Sequence, residues 1–286
     1  LLKNTDGKYF TLDEYEKLVK ANQTDKDKNL IYLYATQTEE QYSFIEAAKS
    51  KGYDVLLMDG QLDPHFINHL ETKLTNTKFT RVDSDVVDKL IKTEETTEAK
   101  ISREQQNDLT PVIESQIPKK AGNFMILFES LKEDDNPMLI TQSEFMRRMK
   151  DISAMGGTGM GYYGDLPDSY NLVVNANHPL ILEIMDAKDK AVGEKVKEVS
   201  KKLKPLKKEQ VELEKNKEGK KDEEIPQADK DKLEDLQKKI KEMEDKKEEI
   251  LKNYGNENNL IKQLIDLALL SNNMLKGEDL TKFVKR

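Results

Sequence analysis

The spacing of apolar and polar positions changes period several times along the chain, and each change marks an element. Leu30-Ile31-Tyr32-Leu33-Tyr34-Ala35-Thr36 is a short, continuous, β-rich apolar run, the pattern of a strand buried on both faces. Thr38-Glu39-Glu40 then opens a helical pattern through Phe44, Ile45, Ala47 and Ala48. It closes on Gly52, the residue best suited to a helix C-cap. Asp54-Val55-Leu56-Leu57-Met58-Asp59 reads as a second buried strand. A helix beginning at Pro64, with Phe66, Ile67 and Leu70, leads to a third strand at Lys78-Phe79-Thr80-Arg81-Val82. Strands alternating with helices of this length predict βαβ units and a largely parallel sheet.

Residues 84–120 are polar with helical spacing, and Val86, Val87, Leu90 and Ile91 form one apolar face. The charged run Thr93 to Lys100 marks a domain boundary. A second, α+β unit follows, with strands predicted at Phe124-Met125-Ile126-Leu127-Phe128, Met138-Leu139-Ile140 and Tyr170-Asn171-Leu172-Val173-Val174. Gln142 to Met155 has helical spacing, and another helix starts at Pro179.

From 186 to 253 the sequence turns Lys/Glu-rich, with no aromatic residue until Tyr254. Val192, Val196, Val199, Leu203 and Leu206 alternate four and three apart. Leu233, Leu236, Ile240 and Met243 do the same and Ile250 keeps the register, which is heptad spacing. An antiparallel helical hairpin, kinked at Pro205 and turned through the charged stretch Asn216 to Gln227, is the simplest arrangement. A disordered charged insert is the alternative, although it has no reason to keep a register over two runs. Asn258 to Leu270 is apolar around most of the helix, so it belongs in a core or an interface. After Leu275-Lys276-Gly277, Leu280 and Phe283 resume a helical pattern. The chain opens at Leu1 without a start methionine and stops within that pattern, which suggests a piece of something longer.

Composition narrows the function. Charged residues make up 36% of the chain against an ordinary quarter, in keeping with long solvated helices. The net charge of -8 argues against a nucleic-acid-binding surface, which needs a concentrated basic patch. There is no cysteine, so no disulfide or thiolate metal site can form; this suits a reducing cytoplasm. No apolar run approaches the length of a membrane span.

Three motifs have a chemical and a plain reading. Gly159-Met160-Gly161-Tyr162-Tyr163-Gly164 has the letters of a dinucleotide fingerprint, but it follows a helix and precedes a strand, the reverse of what pyrophosphate binding needs. His65 and His69 stand i, i+4 on a predicted helix; Phe66 occupies the place where a zincin carries glutamate, so adventitious ion binding is the expectation. Ser43, Ser115 and Ser143 have no nucleophile-elbow context. No catalytic, cofactor or metal residue is therefore assigned. The fullest local signal is Phe145, Met146, Met149, Ile152 and Met155 along one side of a helix, with Arg147, Arg148, Lys150 and Asp151 on the other. Such a stripe is either a core-facing amphipathic face or an adaptable ridge for apolar partners, for which methionine is well suited.

The stretch from Tyr32 through Gln41-Tyr42, Ile45-Glu46-Ala47 and Gly52 to Asp59, with Phe79-Thr80-Arg81-Val82-Asp83-Ser84-Asp85, resembles the small middle-domain subdomain of the ninety-kilodalton heat-shock chaperones, bacterial HtpG type. Gln142 to Met149 resembles the start of the amphipathic helix in their C-terminal domain, and Ile265-Asp266-Leu267-Ala268-Leu269-Leu270 their dimer-interface helix. The resemblance covers most of 1–185 and 256–286. It implies a three-layer αβα subdomain over 1–100, then an α+β dimerisation domain over 101–286 carrying the helical insertion at 186–253, a region much shorter in the family. It further implies a cytoplasmic ATP-dependent chaperone acting on partly folded clients as a homodimer. ATP and magnesium would belong to an N-terminal domain outside this chain, and the catalytic arginine to a larger middle subdomain also outside it. Client contact carries over to Phe145, Met146, Met149, Ile152 and Met155. The dimer interface is expected at Leu260, Ile261, Leu264, Ile265, Ala268, Leu269, Leu280 and Phe283. Neither nucleic acid nor membrane is an expected partner. Two rival readings are a scaffold acting through the charged hairpin and an α/β enzyme with its site at the edge of the first sheet.

Overall fold

The computed structural model describes residues 1–92, 98–144, 147–148, 169–217 and 226–285. The chain is mixed α/β and groups into two compact units. One comprises Leu1–Lys100, Pro118–His178 and Leu264–Arg286; the other comprises Ile101–Ile117 and Pro179–Gln263. In the first unit Val86, Leu131 and Val173 close one apolar cluster.

The first unit opens with a two-stranded hairpin, β1 (Leu2–Lys3) and β2 (Tyr9–Phe10), and helix α1 (Leu12–Val19). Thr11 and Glu14 cap α1 reciprocally, so two end N–H groups find acceptors. Strands β3 (Leu30–Ala35), β4 (Val55–Leu57) and β5 (Thr77–Arg81) form a parallel sheet in the order β4-β3-β5. Helices α2 (Tyr42–Ser50) and α3 (Asp63–Lys73) make the crossovers.

The alternation of side chains along β3 explains why the whole strand is apolar. Leu30, Tyr32 and Tyr34 join a cluster with Tyr15, Val19, Ile67, Leu70 and Phe79, from α1, α3 and β5. Ile31, Leu33 and Ala35 point the other way, into a cluster with Ile45, Ala48, Val82, Leu90 and Ile91. Helices thus cover both faces, the condition under which a parallel strand loses its polar positions. Tyr15, Tyr32 and Phe79 meet edge to face with centroids 5.1 Å apart, a favoured aromatic geometry.

Residues 84–120 do not form one helix. Val87–Leu90 is a single turn (α4), Ile91 is extended, and α5 (Arg103–Glu114) starts afresh behind a Ser102–Gln105 capping box. The next sheet is mixed. Strand β8 (Ser169–Asn175) lies between β6 (Asn123–Glu129), which it pairs in parallel, and antiparallel β7 (Met138–Thr141). Helix α9 (Gly277–Lys285) also belongs to this unit.

The second unit is helical. Helix α6 (Pro179–Lys217) runs uninterrupted through Pro205, and α7 (Gln227–Asn256) packs along it. Ion pairs Lys207–Glu244 and Lys232–Glu209 show that the two run in opposite directions. Val196, Val199, Leu203, Leu236 and Ile240 are buried, and the remaining apolar heptad positions are half-buried. The Asp108 carboxylate of α5 takes Lys247 of α7 at 2.6 Å and the buried Lys188 of α6 at 3.4 Å. Gly255 permits close approach of α7 to α5, since a Cβ there would collide with Ser115 Oγ and the Val112 carbonyl.

Candidate functional site

The parallel strands all end on one side, and in open α/β sheets that side carries the ligand crevices. Beyond the ends of β3 and β4 lies a cavity of about 240 Å³, lined by Tyr34, Met58, Asp59, Asp63, Ile67 and Asn68 together with Arg147 and Arg148. Gln41 holds the loop after β3: its side-chain carbonyl accepts the Thr36 and Gln37 N–H groups at 2.8 and 2.9 Å.

A polar cluster closes one wall of this cavity. Glu144 Oε1 accepts from Tyr34 OH at 2.9 Å, Arg147 Nη2 at 2.8 Å and Arg148 Nε at 2.6 Å. Arg148 also donates to both carboxylate oxygens of Glu71 in α3, at 2.7 and 3.2 Å, and to the Phe79 carbonyl in β5 at 2.5 Å. Glu71 in turn accepts the Phe79 N–H at 2.7 Å. Arg147 donates to the Tyr34 hydroxyl, and its guanidinium lies 5.8 Å from the Tyr34 ring centroid. The planar guanidinium fork makes this two-sided clamp possible; an ammonium would satisfy one side only.

Three members of the cluster have shifted proton affinities. Burial alone would raise the Glu144 carboxyl, but the Arg147 and Arg148 charges outweigh it and hold it below the usual glutamate range. Burial pushes the Tyr34 hydroxyl up, and the Glu144 charge adds to that. Burial would lower Arg148, yet its bonds to Glu71 and the charge of Glu144 raise it. The cluster acts as a clamp: it ties Glu144, Arg147 and Arg148 to β3, α3 and β5. Arg81, paired with Asp83, adds a bond to Gln142 at 3.2 Å just upstream.

The sequence placed Arg147 and Arg148 on the side opposite the apolar stripe; Arg147 is only 8% exposed. At about 100° per residue, position 148 falls between the helical angles of the apolar positions 152 and 155, so the spacing itself did not put Arg148 opposite the stripe. Glu144, three and four residues earlier, was the further signal of a local ion-pair cluster. Phe145, Met146, Met149, Ile152 and Met155, like the Gly159–Gly164 loop, lie outside the described residues. His65 and His69 do fall on α3. Among the described residues no group of three metal-ligating side chains converges.

Helix α8 (Asn259–Ser271) buries Ile261, Leu264, Ile265, Ala268 and Leu269 inside the chain itself, while Leu260, Leu280 and Phe283 are half-buried. The apolar side chains these two helices leave open are Leu267, Leu270 and Val284.

Fold and cluster together define a mixed α/β protein in which permanent charges fasten one structural element to another. Comparison with known proteins makes the assignment specific. The family model described as Hsp90 protein matches residues 2–201, and the chain belongs to that family. It is 48% identical to the protein named Chaperone protein HtpG of Bacteroides fragilis, 47% to that of Bacteroides thetaiotaomicron and 44% to that of Porphyromonas gingivalis. Each alignment covers all of this chain and 42% of the relative. The chain thus spans under half the length of the curated relatives it matches.

Proposed function

We propose that this chain is the client-handling and dimerisation part of a bacterial Hsp90-type chaperone. The observation that carries the proposal is similarity to HtpG chaperones sustained along the entire chain, helical pair included. In this reading residues 1–100 form the αβα subdomain of a middle domain. Residues 101–286 form the C-terminal dimerisation domain, with α6 and α7 as its helical-hairpin insertion. ATP hydrolysis belongs elsewhere in the whole protein, this part binds no cofactor, and it works in the cytoplasm without nucleic acid or membrane.

Clients are bound by Phe145, Met146, Met149, Ile152 and Met155, an apolar, polarisable stripe that accepts many shapes. In sequence, the clamp residues Glu144, Arg147 and Arg148 are interleaved with the first positions of this stripe. A second copy meets α8 and α9. With most of the α8 stripe already buried, the surface that supports this contact is Leu267, Leu270, Leu280, Phe283 and Val284. The test is binding of a reduced, carboxymethylated polypeptide against its native form, read by fluorescence anisotropy. The chain is expected to bind the unfolded form alone. Equal binding of both forms, or of neither, contradicts the proposal.

A further inference from the structure

Sheet edges expose unpaired backbone groups, and proteins guard them with charge, proline, bulges or cover. In the parallel sheet, the β4 edge is covered: Thr5 N–H bonds the Val55 carbonyl at 2.9 Å and Asn4 bridges Leu56. Strand β5 carries Lys78 and Arg81. Strand β6 has neither defence. Its seven residues pair with β8 in unbroken register, without a bulge, and Phe124 to Phe128 includes no charge and no proline. Along its other edge the described residues supply no partner. None of its side chains is fully buried, and Met125 is 63% exposed.

The order of residues in β6 says what fits that edge. Asn123-Phe124-Met125-Ile126-Leu127-Phe128-Glu129 reads alike in both directions by chemical type: polar, Phe, aliphatic, Ile, aliphatic, Phe, polar. We infer that β6 pairs antiparallel with β6 of a second copy about a twofold axis at Ile126. Phe124 then faces Phe128, Met125 faces Leu127, and Asn123 falls opposite Glu129, whose carboxylate is already paired with Lys89, with no like charges opposed. Shifting the register sets a Phe against a polar end, and a one-residue slip also turns the rows to opposite faces. The contact is isologous, as a twofold requires, and joins two three-stranded sheets into one of six. It is separate from the α8–α9 contact proposed above.

The chain has no cysteine, so Ile126→Cys introduces a single thiol. Across an antiparallel pair the Cα atoms lie about 4.5 or 5.5 Å apart, both within the span of a disulfide. With oxidised glutathione, Ile126→Cys is expected to cross-link to its own copy at least tenfold faster than Phe124→Cys, whose thiols sit four residues out of register. As a check against local misfolding, Met125→Cys mixed with Leu127→Cys should form the heterodimer in preference to either homodimer. Adding Leu270→Glu should leave the Ile126→Cys cross-link intact, and adding Met125→Lys should abolish it. Equal rates at 124 and 126 would overturn the inference, as would a 126 thiol that captures only a foreign apolar peptide bearing cysteine.

Discussion

The parallel sheet and the paired helices α6 and α7 solve the same problem in opposite ways. Strand β3 is six residues long and wholly buried, flanked by helices on both faces. Helix α6 has 39 residues and α7 has 30, yet each buries only a narrow seam and leaves the rest to charged side chains in water. Exposed ion pairs such as Lys238–Glu234 and Lys239–Asp235 add little each, so cohesion depends on the seam. The sheet is the place of global stability. The long helices are expected to open locally at much lower cost, because stability within a protein follows the density of buried apolar contacts.

The same substitution in both regions breaks or sharpens that contrast. Leu33→Ala removes a side chain with no exposed surface and is expected to cost about 2–5 kcal/mol, read as a lower urea midpoint for the whole first unit. Leu236→Ala in the seam is expected to cost about 1–2 kcal/mol, at or below the low end of that range, because the facing helix can close on the gap. Its signature is faster amide exchange confined to α6 and α7. Global destabilisation by Leu236→Ala as large as that of Leu33→Ala would erase the distinction.

A smaller effect separates two buried carboxylates by pH. Glu144 has a depressed folded pKa, so its contribution is present above the unfolded value of about 4.3 and is lost as pH falls through the folded one. Asp54 is the reverse. Burial raises it despite a 2.9 Å bond from Asn4, so its contribution is complete below about 3.9 and is lost as pH rises through its folded value. Thermal melts across the acid range should therefore lose the decline on acidification in Glu144→Gln and lose the decline with rising pH in Asp54→Asn. Parallel profiles for both variants would show that neither carboxylate is coupled to folding as described.

Legibility in the sequence tracked how local the deciding forces are. The runs at Leu30 and Val55 declared strands because burial leaves no polar positions to confuse the period, while the strand at Phe79 showed itself by its β-branched and aromatic residues between polar ones. The heptad positions of α6 and α7 were equally clear. Helix α1 and the β1–β2 hairpin went unread, although Thr11-x-x-Glu14 is the cap that marks the helix start. Residues 84–120 looked like one helix because their apolar face has helical spacing, while the break depends on a second cap at Ser102. The clamp was the hardest to see. Tyr34, Glu71 and Arg148 are far apart in sequence, and only the fold gathers them. For α8 the apolar composition foretold burial correctly, but not that the chain itself would supply most of it.

The most direct test of client handling is affinity for an unfolded polypeptide after Met146→Ser and Met149→Ser together. The account predicts at least a fivefold loss in anisotropy titrations, with unchanged circular dichroism and melting temperature. Unchanged affinity in a normally folded variant would contradict it.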